Sequence, residues 1–317
     1  MAYMIVGALV PVFGLILIGF ACGRFNVLGE RAFEVLNRFV IVITLPVLTF
    51  RSIAKMEAAD LAVMPMIGAV LGGAFFAYAF GYSIERWFGR PAKDANIAGL
   101  SSSFSNVGFV GLPIALIAFG QDALGPVAVT MFLYSAVVFT VALLVGEVAA
   151  NPDDGLVHGL RASGHAIVRS PLIMLALAGV AWAAFRLPLE GPLDVLLQTL
   201  ASATAPCALT AIGLFISLPR SDAAPGPIGR VVSIKLAVQP AATALLVWLL
   251  PPMPPLWGAI AVLTAAMPCG ATSFVLAGKA GRWAMELSAW SVTLTTTFAT
   301  LTLIPVLWWI GMPRALY

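Results

Sequence analysis

The chain has 317 residues, 61% of them apolar and 10% charged, with a mean hydropathy of +1.01. A soluble domain carries about a quarter charged residues and could not cover so much apolar matter, so the composition excludes a soluble globular protein. Seventeen basic against fourteen acidic residues leave a net charge of +3, with the basic residues scattered singly, which offers nucleic acid no basic face.

The first stretch, residues 3–23, has neither a basic leader nor a small-residue cleavage site before Arg24, and reads as a retained membrane span rather than a signal peptide. Nine further stretches are long and apolar enough to cross a bilayer: 36–54, 61–83, 95–120, 123–147, 167–186, 193–218, 229–250, 256–279 and 286–311. Cytoplasmic loops hold an excess of Lys and Arg. With the N-terminus outside, thirteen basic residues fall inside and four (Arg51, Lys55, Arg186 and Arg314) outside, so both termini are expected outside the cytoplasm, in an inner membrane. All fourteen acids fall at or beyond span ends.

Span two carries LPVLT around Pro46, with Thr49 a polar side chain inside the span. The glycine pair Gly72 and Gly73 in span three reads as a close-packing point. Span four is the least helix-like: Ser101, Ser102, Ser103, Ser105, Asn106, Gly108 and Gly111 precede Pro113, and a break is expected at Gly111, Leu112 and Pro113.

After span five the polar stretch 151–164 (NPDDGLVHGLRASG) reads as a linker, with His158 and His165 as solvated loop residues. The expected organisation is a first repeat at 1–150, a cytoplasmic linker at 151–165 and a second repeat at 166–317. Span seven repeats the pattern of span two in APCALT around Pro206, 160 residues after Pro46, with Thr210 matching Thr49. In span eight Lys235 is expected to snorkel to the cytoplasmic surface.

Span nine breaks at Pro268, Cys269 and Gly270, 155 residues after Pro113, and is followed by Thr272 and Ser273. Pro11, Pro65, Pro171, Pro240 and Pro305 read as ordinary kinks, and Trp248, Trp257, Trp290, Trp308 and Trp309 as interfacial anchors. Cys22, Cys207 and Cys269 have no CxxC partner and read as small core residues, so no disulfide, metal or other cofactor is expected.

Five spans per half, an odd number, turn the second half over in the membrane, giving an inverted repeat. Hydrocarbon cannot solvate the groups that a helix break frees, so the two breaks are expected to meet. The half-helices that start there aim positive dipole ends at the meeting point, which favours an anion. The candidate substrate-binding residues are Asn106, Thr49, Pro113, Pro268, Cys269, Gly270, Thr272, Ser273 and Thr210.

Three segments, NRFVIVITLPVLTFRSIA in span two, SNVGFVGLP in span four and AMPCGATSFVLAGK in span nine, occur in the order and at the spans of the auxin efflux carrier family, which the chain resembles over nearly its whole length. Members of that family include plant auxin exporters and bacterial carboxylate carriers. The resemblance implies an all-α integral membrane protein of ten helices in two inverted repeats of five with crossed broken helices, like bile acid symporters and the antiporter NhaA. It also implies a scaffold domain and a transport domain. Asn106 and Pro113 would match substrate-facing residues of the first crossover, and Thr49 a polar residue of helix two.

The implied activity is secondary transport or facilitated movement of a small organic anion, a carboxylate such as malonate, malate or an auxin-like acid. The short central loop, and a third span without acid or Lys, fit the smaller acids better. Expected partners are that anion, the lipid bilayer, H+ or Na+ as an open choice of coupling ion, and a homodimer as an open assembly state. A cation/proton or sodium-coupled transporter on the same scaffold, which would place carboxylates at the midplane, and a non-transporting receptor are the alternatives. An intramembrane enzyme lacks its base, since both histidines are in the linker.

Overall fold

In hydrocarbon a backbone amide finds a partner only within its own chain, so apolar stretches of span length wind into helices. In the computed structural model every regular element among the described residues is helical. The structure describes residues 2–29, 31–55, 64–150, 169–218, 225–270 and 272–311; the expected linker at 151–165, with His158 and His165, lies outside them.

The helices are α1 (Ala2–Arg24), α2 (Ala32–Ala54), α3 (Met64–Trp87), α4 (Ala92–Ser103), α5 (Val107–Phe119), α6 (Gln121–Ala149), α7 (Pro171–Ala184), α8 (Gly191–Ser217), α9 (Pro225–Leu249), α10 (Pro255–Ala265), α11 (Thr272–Ala280) and α12 (Arg282–Gly311). Among the described residues six of these, α2, α3, α6, α8, α9 and α12, are long and apolar enough to cross a membrane. The stretches expected as spans four and nine are each two shorter helices, α4 with α5 and α10 with α11.

Three prolines shape their helices in the same way. Pro46, Pro113 and Pro240 each stand two residues after a π-helical turn, at Val40–Thr44, Val107–Gly111 and Ile234–Val238. Proline has no N–H to close the α-helical ladder and its ring crowds the preceding turn, and a locally widened turn relieves both.

Contacts divide the chain into two compact units. One comprises Met1–Val63, Val107–Phe132 and Arg169–Pro219; the other comprises Met64–Asn106, Leu133–Val168 and Arg220–Tyr317.

In the first unit α1 lies against α8 with glycine on both sides of the contact. A Cβ on Gly19 would stand 2.2 Å from the Thr210 carbonyl oxygen, and one on Gly213 would stand 2.1 Å from that of Ile16. Hydrocarbon gives apolar helices no reason to prefer each other to lipid, so backbone approach of this kind supplies the dispersion contact that holds them. At the C-terminal end of α2, Arg51 Nε and Lys55 Nζ both donate to the Asp194 carboxylate of α8 at 2.6 Å.

In the second unit Gly72 and Gly73 of α3 face α9, where added Cβ atoms would meet Leu246 Cδ1 at 2.7 Å and Thr243 Oγ1 at 2.0 Å, the close packing expected of that pair. Near the end of α3 the buried Glu85 accepts from Arg230 Nε at 2.7 Å, and the Arg230 guanidinium also lies 4.1 Å from the centre of the Phe88 ring. Removing one member of a buried pair strands the other charge. Arg230→Met is therefore expected to lower unfolding stability by about 3 kcal/mol, measured by denaturation in detergent.

Of the expected tryptophan anchors, Trp248, Trp308 and Trp309 are exposed. Trp257 is instead buried and is a core residue, while Trp290 is half-buried against the cluster of Ala98, Ile228, Val231 and Leu287.

Candidate functional site

In the second unit the two interruptions meet. The run Ser101–Ser103 offers the backbone competing partners, with Ser103 Oγ donating to the Leu100 carbonyl at 3.3 Å, and α4 ends there. Phe104 turns extended (φ −77°, ψ 105°). On the other strand of the crossing α10 ends at Ala265, and Pro268 has no N–H with which to continue it.

The freed backbone groups then pair across the gap. Ser105 and Cys269 form an antiparallel bridge in which Asn106 N–H donates to the Pro268 carbonyl and Gly270 N–H to the Phe104 carbonyl, both at 2.8 Å. An orphaned amide in a dry interior costs several kcal/mol, against about 1 kcal/mol gained by an ordinary hydrogen bond, so what the crossing chiefly gains is the avoided penalty.

Gly270 is dictated by this contact, because a Cβ there would stand 2.7 Å from Cδ1 of Phe104. The Phe104 ring is in turn wedged edge-on against Tyr134 and Phe139.

The break of span nine falls where Pro268, Cys269 and Gly270 placed it. That of span four does not: it lies at Phe104–Asn106, upstream of the expected Gly111, Leu112 and Pro113. Pro113 sits near the start of the α-helical part of α5, in the first unit, where the preceding π-helical turn accommodates it without interruption. The serine run, not the proline, ends the helix.

Of the nine candidate residues, Asn106, Pro268, Cys269, Gly270, Thr272 and Ser273 come together in the second unit, and Thr49, Pro113 and Thr210 belong to the first. Several polar groups are engaged within the protein. Thr49 Oγ1 donates to the Leu45 carbonyl at 2.9 Å, and Cys269 N–H donates to Thr295 Oγ1 at 2.9 Å. Ser273 Oγ donates to the Gly270 carbonyl at 2.9 Å and lies 2.8 Å from Ser288 Oγ. Asn106 differs: the residue is 5% exposed, and its buried Nδ2 has no hydrogen-bond partner. Asn106 is followed directly by α5, which begins at Val107, while the half-buried Thr272 is the first residue of α11.

A charged group that sequence reading placed elsewhere completes the site. Lys235 does not snorkel; it is fully buried in the π-helical turn of α9. Its ammonium donates to Ser105 Oγ at 3.0 Å, to Gln239 Oε1 at 2.5 Å and to the Ala265 carbonyl at 2.8 Å. Gln239, one turn on, donates through Nε2 to the Ser103 carbonyl at 2.7 Å and to Tyr134 Oη at 2.8 Å. These two side chains thus take up carbonyls that α4 and α10 leave open at their ends.

Hydrogen bonds to a charged group contribute about 1.5–3 kcal/mol each, so three are of the size needed to offset the several kcal/mol that burying an ammonium costs. The sequence signal was a lysine and an amide four residues apart just before Pro240, with no further charge between Lys235 and the end of the span.

A helical membrane chain that devotes two pairs of half-helices to a polar backbone crossing is built as a transporter. The model of the family described as membrane transport protein matches residues 4–155 and 156–308, and the chain belongs to this family, that of the auxin efflux carriers. It is 30% identical over 307 residues to a protein of Rhizobium meliloti (strain 1021) named "Putative malonate transporter", covering 96% of this chain and 95% of that one. An uncharacterized transporter of Methanocaldococcus jannaschii is 27% identical over 309 residues, 93% of this chain and 95% of the other. The Escherichia coli (strain K12) uncharacterized transporter YfdV is 26% identical over 182 residues, 56% and 55% of the two chains. The protein is a membrane transporter and not an enzyme.

Proposed function

We propose that the protein carries a small organic anion, a mono- or dicarboxylate of the size of malonate, across the inner membrane by alternating access, with the carboxylate bound at the crossing of the broken helices. The observation that carries this reading is the buried, unpartnered Nδ2 of Asn106, held beside the crossing by the bond from its own N–H to the Pro268 carbonyl. A donor in that position stays unsatisfied unless an acceptor arrives, and a carboxylate is the acceptor that the neighbouring helix N-terminus also favours. The buried ammonium of Lys235 adds a positive potential that no carboxylate among its hydrogen-bond partners cancels.

The name of the Rhizobium relative supports malonate as the first acid to test. The proposal includes ten spans in two inverted repeats, 1–150 and 166–317, joined by a cytoplasmic linker, with both termini outside.

Purified protein in proteoliposomes should take up radiolabelled malonate saturably, and excess malate should compete. Protein that moves none of a panel of mono- and dicarboxylates above empty liposomes would defeat the reading.

Asn106→Ala removes one donor to a charged ligand, about 1.5–3 kcal/mol, so apparent affinity should fall roughly 10- to 100-fold. The variant should remain monodisperse in detergent. Unchanged uptake kinetics would take Asn106 out of the site.

A further inference from the structure

We infer that the Lys235 ammonium is a built-in counter-cation, filling at the crossing the place an alkali-metal coupling ion would take, so that carriage by this protein needs no sodium. The inference rests on the carrier reading for what is moved, but the cation assignment stands on the cage around the amine.

A broken helix has two unlike ends. The N-terminal ends that follow a break attract anions, while the C-terminal ends and unwound carbonyls that precede it carry partial negative charge and gather cations. Here the preceding ends are those of α4 and α10. The Ala265 carbonyl, at the last residue of α10, receives Lys235 Nζ at 2.8 Å, and the Ser103 carbonyl, at the last residue of α4, receives Gln239 Nε2 at 2.7 Å.

Around Nζ stand a backbone carbonyl, a side-chain amide oxygen and a hydroxyl, a set of neutral oxygens of the kind that hard cations prefer. The orientation of the amide is fixed: both donors of Gln239 are spent on Ser103 and Tyr134, which leaves Oε1 as the group facing the amine. An ammonium has three donors and all three are engaged, so a metal ion could bind these oxygens only by expelling the amine. Because the charge is covalently attached, the negative helix ends are neutralised whether or not an external cation is present.

The test uses detergent-purified wild type and Lys235→Ala with no carboxylate added, with sodium chloride compared against choline chloride at equal ionic strength. Wild-type Tm should be the same in both salts. Lys235→Ala, which frees the three oxygens, should show a saturable rise of several degrees specific to sodium. Sodium-specific stabilisation of the wild type overturns the inference, and so does a folded Lys235→Ala that ignores sodium.

If that variant does not fold, malonate uptake by wild-type proteoliposomes decides. Equal initial rates in external sodium and choline support the built-in cation, and a severalfold stimulation by sodium overturns it. Absence of carboxylate flux in both salts would defeat the carrier reading, and the salt dependence of wild-type Tm, taken without substrate, would still judge the cation assignment by itself.

Discussion

Gln239→Leu should lower unfolding stability by roughly 3–4 kcal/mol, since leucine fills the space but supplies none of the hydrogen bonds. The Lys235 ammonium loses the acceptor at 2.5 Å, and the Ser103 carbonyl and Tyr134 hydroxyl lose the amide that served both. Each buried polar group left unmade costs about 1–3 kcal/mol, with more for the charged one. Gln239→Glu separates stability from charge. The carboxylate still accepts from Lys235, so the variant should be more stable than Gln239→Leu, yet it cancels the positive charge of the site. We expect Gln239→Glu to be folded by size-exclusion chromatography and to lose most malonate uptake. Wild-type uptake in Gln239→Glu would show that the buried charge has no part in holding the anion.

Gly213→Val should yield no folded protein. A Cβ at Gly213 would stand 2.1 Å from the Ile16 carbonyl oxygen and 2.5 Å from Phe20 N, and backbone atoms cannot rotate away as a side chain can. Relief would require α1 and α8 to separate along the contact that Gly19 and Thr210 share from the other side, at a cost beyond the 1–3 kcal/mol of ordinary overpacking. Gly14→Ala, on α1 with nothing within 4 Å of its Cβ, is the control and should be neutral or slightly stabilising. Fluorescence-detected size-exclusion of tagged protein reads both. A monodisperse Gly213→Val peak at wild-type height would contradict the packing described for the first unit.

Hydropathy located the apolar stretches, because lipid allows them little other than helix. It also located the break at Pro268, where a missing donor and a glycine coincide with small polar residues. The break in span four was legible as a region but misplaced within it. By sequence alone proline is the expected breaker, whereas Pro46, Pro113 and Pro240 are each absorbed by a π-helical turn and the serine run ends α4.

Lys235 was the larger miss. A lone lysine near a span end has snorkelling as its cheapest local solution, and what makes burial cheaper lies far off in sequence, at Ser105 and Ala265. The same holds for the grouping of residues 107–132 with 1–63 and 169–219, which is set by helix contacts and leaves no period or composition shift in the chain. Asn106 was legible because an amide inside an apolar span needs a reason.

The most direct test of an anion at the crossing is a structure determined by electron cryomicroscopy with malonate present at saturating concentration. A carboxylate oxygen about 3 Å from Asn106 Nδ2 is the expected result. Malonate bound well away from the crossing, with Asn106 still unpartnered, would contradict it.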